Sequence, residues 1–253
     1  MITKSSFKLI IAAAISITLV NTSHAFDYVI PTDTAPSDTT LDDTLILNAG
    51  GYLGSFFTAR DSSQVTINDG TVDDFFIATN TSQVFIHGGT IGHNASIEES
   101  STMHITGGTF ASTVNALDFS TVYISGGDLG EEFTASFLST VHLSGGTISD
   151  TFSVNDSSTL NITGSNFKLI GSPILGLSTT PTEITTGPGE IITGLLADGT
   201  AFSLIASAYS TPNDFTISAS ATLNLILIPE PTTALLFLLT TLPFLTRRLT
   251  KQP

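Results

Sequence analysis

The sequence predicts an all-β chain wound as a parallel β-helix, because its residues repeat with a fixed period of 19. Six glycines mark that period without a slip. They are Gly51, Gly70, Gly89, Gly108, Gly127 and Gly146. A period near 20 is typical of stacked arrays, in which each repeat forms one coil and buries its apolar face against its neighbours. Nineteen residues are too few for two strands joined by a crossover helix, so each coil must consist of strands.

Apolar and polar residues alternate within each coil at a period of two, which indicates strands rather than helices. Five apolar columns run through the coils, one residue per coil. They begin at Phe57, Ala59, Val65, Ile67 and Val72. Identical stacked coils place each strand beside its counterpart in the next coil, in parallel and about 4.8 Å apart. A right-handed winding is expected because parallel strand connections overwhelmingly have that hand.

Two polar columns predict the corners of the coils. The glycine column supplies backbone conformations with positive φ that other residues adopt only at a cost. A second column consists of serines, whose hydroxyls we expect to bond the backbone of their own turn. Its members are Ser63, Ser82, Ser101, Ser120, Ser139 and Ser158.

The period divides the chain into a repeat domain and two flanking regions. The coils occupy residues 45–167, and residues 26–44 are predicted to be a linker or an irregular N-terminal cap. The first coil looks imperfect, because Asn48 falls where the next coil has Ile67. Beyond the repeats the period fails, and residues 168–227 are predicted to form a C-terminal β cap that covers the open end of the solenoid.

The N-terminus has the three parts of a secretory signal peptide over residues 1–25. Two lysines precede an apolar run over residues 9–20, and small residues then lead to a cleavage point between Ala25 and Phe26. We therefore expect a signal helix here and export of the rest of the chain. The chain has no cysteine, so neither disulfides nor thiolate chemistry are available to it.

The C-terminal segment, residues 228–253, carries three elements in order. They are the tripeptide Pro229, Glu230 and Pro231, an apolar run over residues 234–245, and the basic pair Arg247 and Arg248. The apolar run predicts a hydrophobic helix, although it is shorter than the roughly 20 residues of a stable membrane span. The order of elements resembles the PEP-CTERM sorting signal of Gram-negative bacteria. This resemblance implies that a membrane enzyme, exosortase, recognises the tripeptide and removes the segment after export; a retained tail anchor is the alternative.

The charge balance excludes nucleic acid as a partner. The chain has a formal net charge of −15 and only seven basic residues, of which five lie in the two terminal segments. Arg60 and Lys168 are the two that remain, whereas phosphate binding needs clustered Lys and Arg. The acidity suits a self-repelling extracellular protein.

One outward column is the candidate ligand-facing stripe. It comprises Phe85, His104, Tyr123 and His142. A sugar could stack on its aromatic rings, but exposed aromatic columns also stabilise sheets by cross-strand packing. The two histidines are about 9.6 Å apart by the strand spacing. That separation is too large for them to share a metal ion.

No cofactor is predicted. An acidic corner repeats at Asp61, Asn80, Glu99, Asp118 and Asp156 and could bind Ca²⁺ through oxygen ligands. Because the glycine-rich calcium repeat pattern is absent, solvated acidic residues are favoured over a calcium site. The adjacent pairs Glu98-Glu99 and Glu131-Glu132 could be an acid and a base for glycoside cleavage, but nothing in the sequence indicates that either is buried.

The sequence therefore predicts a non-enzymatic protein of the cell surface or of an extracellular biofilm matrix. Its expected partners are signal peptidase, an exosortase-like enzyme and extracellular polysaccharide. The C-terminal segment is expected to hold the precursor at the membrane before processing. The alternative is a carbohydrate-binding or carbohydrate-active β-helix protein.

Overall fold

The computed structural model describes residues 27–33, 35–39, 42–148, 150–206 and 215–228, which form strands and turns and no helix. The all-β prediction is confirmed, while the predicted signal helix and C-terminal helix lie outside these residues. In chain order the first strands are β1 (Asp27–Ile30), β2 (Asp38–Thr39), β3 (Thr44–Leu47), β4 (Tyr52–Leu53), β5 (Thr58–Ala59), β6 (Gln64–Ile67), β7 (Thr71–Val72), β8 (Ile77–Ala78), β9 (Gln83–Ile86), β10 (Thr90–Ile91), β11 (Ala95–Ile97), β12 (Thr102–Ile105) and β13 (Thr109–Phe110). The remaining strands are β14 (Thr113–Ala116), β15 (Thr121–Asp128), β16 (Glu132–Ala135), β17 (Thr140–Thr147), β18 (Thr151–Val154), β19 (Thr159–Leu169), β20 (Ser172–Pro173), β21 (Thr182–Glu183), β22 (Ile191–Leu196), β23 (Ala201–Ala206), β24 (Phe215–Ile217) and β25 (Thr222–Leu227).

The strands stack as a parallel β-solenoid of about seven coils. The first face contains β3, β6, β9, β12, β15, β17 and β19, and each of these strands pairs in parallel with the next. The second face begins with β4, β7, β10 and β13, and the third runs from β5 and β8 to β18. The prediction of a parallel β-helix is confirmed; its right-handed winding stays a prediction.

The core consists of the five predicted apolar columns. Val65, Ile67 and Val72 are fully buried, as are their counterparts in most other coils. Large rings stack on one another inside the solenoid, with centroids 5.9 Å apart for Phe57 and Phe76. Because every second residue of each face points inward, each coil contributes several buried side chains. Burial stabilises the fold by about 1.5–3 kcal/mol for each large apolar side chain.

Two corners have simple stereochemical explanations. Gly89 has a φ of +84°, and a Cβ there would lie 2.8 Å from the carbonyl oxygen of Gly70 in the preceding coil. Only glycine fits such a position. All six predicted serines are buried. Ser101 donates to the carbonyl oxygen of Glu98 in its own turn, at 2.7 Å, as predicted.

The serine column is not uniform, however. Ser158 bonds its own turn through the carbonyl oxygen of Asn155, as Ser101 does. The hydroxyls of three other members have no hydrogen-bond partner among the described residues. They are Ser82, Ser120 and Ser139.

The expectation that Asn48 occupies the Ile67 column is wrong. Leu47 pairs with Ile67, and Leu53 pairs with Val72. The glycine corner of this coil therefore holds one residue more than the next, which shifts the preceding strand by one position and keeps its leucine inside. Asn48 lies in the corner, where its Oδ1 accepts a hydrogen bond of 3.1 Å from Asn68.

The strands of the predicted C-terminal cap pair in two different ways. β22 and β23 form an antiparallel hairpin that packs on β19. β24 and β25 instead return to the stack, in parallel with β18 and β19. Phe215 lies opposite Phe152 and Leu225 opposite Ile162, so these residues form a further coil on the same apolar columns. The outer edge of that coil is partly covered by β21 and β23.

Candidate functional surfaces

The stripe forms one continuous stack of rings on the first face. Phe85, His104, Tyr123 and His142 lie in register on β9, β12, β15 and β17. Successive ring centroids are 5.0, 4.6 and 4.5 Å apart, and the planes differ by no more than 9°. The inner two rings are therefore covered on both faces by their neighbours.

This geometry limits what the stripe can bind. A sugar that stacks on an aromatic ring needs a free ring face, and Tyr123 presents only its edge. Tyr123 also separates His104 from His142, so the two imidazoles do not converge on one point. Among the described residues there is no group of three or more metal-ligating side chains. The stack contributes cross-strand packing energy to the sheet, and this contribution is sufficient to explain why the column is aromatic.

Burial lowers the pKa of both histidines in the stripe. Partial burial disfavours the charged imidazolium of both residues, since His104 lies between two stacked rings and His142 is stacked on Tyr123. Both are neutral at pH 7.

In the predicted acidic corner, four of the five side chains accept a hydrogen bond from the backbone of the preceding coil. Its members all have φ between +53° and +58°. They are Asp61, Asn80, Glu99, Asp118 and Asp156. Asn80 Oδ1 accepts from the Asp61 amide at 3.1 Å, and Glu99 Oε2 accepts from the Asn80 amide at 2.9 Å. These oxygens are engaged with the backbone, which favours a structural role over calcium binding. We call this feature the corner ladder.

The corner ladder is interrupted by an exposed apolar patch. Phe137 occupies the ladder position between Asp118 and Asp156, with a φ of +62°. Phe119 and Leu138 follow the ladder position in adjacent coils. The exposed fractions are 64% for Phe119, 56% for Phe137 and 52% for Leu138.

A second exposed aromatic cluster, which the sequence analysis missed, lies between the second and third faces of the first coils. Tyr52, Phe56 and Phe75 are 53%, 65% and 40% exposed. The two phenylalanine rings are stacked, with centroids 4.8 Å apart and planes 3° from parallel. Together with Asp73 and Asp74 these residues form what we call the aromatic corner. A comparison of columns could have found it, since the later coils carry polar residues at the same positions.

Hydrogen bonds fix the polar side of the aromatic corner. Asp73 Oδ2 accepts from the Tyr52 hydroxyl at 2.6 Å and from Ser55 Oγ at 2.7 Å. Asp74 Oδ1 accepts from the backbone amide of His93 at 2.8 Å and lies 2.9 Å from His93 Nδ1. The Tyr52 bond holds the pKa of Asp73 below its usual value, and the His93 amide does the same for the pKa of Asp74. Both carboxylates are thus ionised at pH 7.

The Asp74–His93 pair does not extend into a catalytic relay. Ser112 follows His93 in the same column one coil later, but its hydroxyl bonds Glu131 Oε2, at 3.3 Å. The side chains of His93 and Asp74 are 60% and 40% exposed, so water surrounds the pair.

The two predicted carboxylate pairs are likewise not brought together as an acid and a base. Glu98 accepts from Ser96 at 2.6 Å, while Glu99 belongs to the corner ladder. Glu131 and Glu132 are both exposed.

The remaining predicted site residues cannot be placed. The cleavage residues and the sorting signal lie outside the described residues. They are Ala25, Phe26, Pro229, Glu230, Pro231, Arg247 and Arg248. Within the part of the chain that the structure describes, no helix is both long and apolar enough to cross a membrane.

Comparison with known proteins gives no relative to reason from. No family pattern matches the chain, and neither a characterised protein nor a solved structure is significantly similar to it.

Proposed function

We propose that this chain is an exported, non-enzymatic β-solenoid of the cell surface or extracellular matrix, delivered through a PEP-CTERM-like route. The observation that carries the proposal is the pairing of two terminal signals around one repeat domain. A signal sequence over residues 1–25 precedes the coils, and Pro229-Glu230-Pro231 opens the segment that follows them. A disulfide-free, strongly acidic solenoid suits a protein that must stay soluble outside the cell.

The surfaces support a role in binding rather than in catalysis. Two groups that could act as acid or base do not lie in a protected environment: Glu99 is hydrogen-bonded to the backbone, and His93 is open to water. A catalytic acid or base needs an environment that shifts its pKa toward the working pH. The pKa values of Asp73 and Asp74 move in the opposite direction, away from neutrality.

The export route is tested by changing Glu230 to Ala. Processing predicts that the surface or released form lacks residues 234–251, and that the Glu230→Ala precursor accumulates in the membrane because the tripeptide is no longer recognised. Mass spectrometry of C-terminal peptides from the membrane and medium fractions reads the result. A change of Pro181 to Ala, a proline outside the tripeptide, is the control and should leave processing intact.

A retained tail anchor gives a different pattern. The membrane-bound protein would then keep the peptide that contains Lys251, and Glu230→Ala would leave the distribution between fractions unchanged. An intact C-terminal peptide in both fractions would contradict the processing route. That result would not contradict a binding function of the solenoid surfaces.

The second candidate function is carbohydrate binding, which the aromatic corner favours. Exposed aromatic side chains beside fixed carboxylates occur there and combine an apolar face with hydrogen-bond acceptors. Release of reducing ends or unsaturated products from polysaccharides would instead indicate a carbohydrate-active enzyme.

A further inference from the structure

We propose that the aromatic corner is a binding site for a neutral polysaccharide, with Phe56 and Phe75 as the apolar platform and Asp73 and Asp74 as hydroxyl acceptors. The inference deepens the carbohydrate-binding candidate and rests on it, but it does not depend on the export route. It also places the ligand site away from His104 and Tyr123, the two rings of the stripe that are covered on both faces.

The fold does not require aromatic residues at positions 56 and 75. Phe56 and Phe75 have φ values of +65° and +63°, a conformation that is unfavourable by about 1–2 kcal/mol for a bulky side chain. The third coil has Asn94 in the same column, with a φ of +61°. Asparagine adopts this conformation readily and would suit the first two coils as well. The chain thus keeps two exposed rings on a backbone conformation that asparagine adopts more easily, and their mutual stacking offsets only part of that cost.

The platform formed by the two phenylalanine rings has one open side. Phe75 covers one face of the Phe56 ring, and 65% of Phe56 remains exposed. Tyr52 is 53% exposed and is held in place by its bond to Asp73. A pyranose ring has apolar C–H faces and a rim of hydroxyls, and it therefore fits an open aromatic face with polar groups beside it.

Both carboxylates of the aromatic corner are held in place before a ligand binds. Asp73 is oriented by Tyr52 and Ser55, and Asp74 by the backbone and side chain of His93. An ionised carboxylate has about four lone-pair positions, so each aspartate retains capacity to accept a hydroxyl. Acceptors that are fixed before binding lose little conformational entropy when the ligand arrives.

Charge selects the class of polysaccharide. Both aspartates are ionised at pH 7, and the whole chain has a formal net charge of −15. An anionic polymer such as alginate would be repelled from this corner. A neutral polymer pays no such penalty, because its hydroxyls donate to the carboxylates directly.

The proposal is tested by affinity electrophoresis of the full-length chain in native gels. The gels contain barley β-glucan, galactomannan, xyloglucan or alginate. At least one neutral polymer should retard the protein, and alginate should not. The double variant Phe56→Asn with Phe75→Asn should lower the association constant at least about tenfold, as loss of stacked aromatic contacts implies. Its melting temperature should match or exceed that of the wild type, because Asn94 already occupies this column.

The matched control is Phe119→Asn. Phe119 is 64% exposed against 65% for Phe56, but it lies on the apolar patch beside the corner ladder. This variant should bind like the wild type. The proposal is overturned if no neutral polymer retards the protein, if alginate retards it as strongly, or if Phe119→Asn weakens binding as much as the double variant. None of these results bears on the export test with Glu230→Ala.

Discussion

The coils from β6 to β19 repeat every 19 residues, and we call them the uninterrupted coils. The last coil, which contains β24 and β25, reaches the same packing through a longer connection. In the uninterrupted coils each residue lies over its counterpart 19 positions away, as Asn80 lies beside Glu99. In the last coil the corresponding separation is 63 residues, as between Asn161 and Asn224. Yet Phe215 stacks on Phe152 with centroids 4.3 Å apart, closer than Phe133 and Phe152 at 4.8 Å. The apolar columns, rather than the period, hold the stack together.

The chain leaves the stack after β19 and returns to it at β24, and we call the connection between them the excursion. Loop entropy explains why so long a connection is tolerated. The free energy of closing a loop rises only with the logarithm of its length, by about 0.6 kcal/mol per doubling. Burial of Leu223 and Leu225 in the last coil outweighs the extra free energy of closing the longer loop. The excursion is also anchored where its hairpin turn meets the solenoid, since Asp198 Oδ2 accepts from the Gly146 amide at 2.8 Å.

The largest loss of stability is expected from a charge placed inside an uninterrupted coil. Ile105 is fully buried, so Ile105→Asp should lower the free energy of unfolding by more than about 4 kcal/mol and unfold the array. His104→Asp, one residue away, should have a much smaller effect because that side chain points outward. Circular dichroism melts of the two variants provide the measurement. The opposite order would mean that the inward and outward registers are exchanged.

A smaller effect is expected where the excursion is anchored. Asp198→Ala removes the bonds to the amides of Gly146 and Thr200, and it should destabilise the protein by about 1 kcal/mol, since the carboxylate is exposed and screened. Partial burial raises the pKa of Asp198, but bonds from the Thr200 and Gly146 amides outweigh it and leave the pKa lowered.

The pH dependence of that anchor follows from the direction of the shift. A carboxyl with a lowered folded pKa contributes stability above its unfolded value of 3.8, and the contribution is lost as pH falls through the folded pKa. Thermal melts should therefore show the wild type and Asp198→Ala converging in acid. Asp198→Asn keeps an acceptor and is the control, with most of the stability at pH 7 retained. A difference between wild type and Asp198→Ala that persists in strong acid would exclude the ionised anchor.

The sequence predicted the local part of the fold better than the non-local part. The columns headed by Val65 and Ile67 follow from periodicity alone, because each coil contacts only its neighbours. The return of Phe215 to the stack follows no period, and the extra residue near Asn48 shifts one strand without disturbing the glycines. The aromatic corner does not follow from the period for a related reason. Tyr52 and Phe56 depart from the residues of their own columns, and periodicity predicts only what the members of a column share.

The smallest predicted change in stability concerns one position of the uninterrupted coils, Phe137. Phe137→Asn should raise the free energy of unfolding by about 0.5–1 kcal/mol. Phe137 has a φ of +62°, which asparagine adopts more easily, and its column already contains Asn80 at +58°. The new amide oxygen would accept from the Asp118 backbone, as Asn80 Oδ1 accepts from Asp61.

Phe119→Asn serves as the control for this gain in stability. Phe119 is as exposed as Phe137, at 64% against 56%, but it does not occupy a corner-ladder position. Loss of an exposed ring is therefore matched in the two variants, and only Phe137→Asn also relieves the backbone and completes the corner ladder. Urea unfolding of both variants measures the difference. An equal gain in both would assign the effect to removal of exposed apolar surface, and no gain in either would mean that the interruption at Phe137 carries no strain.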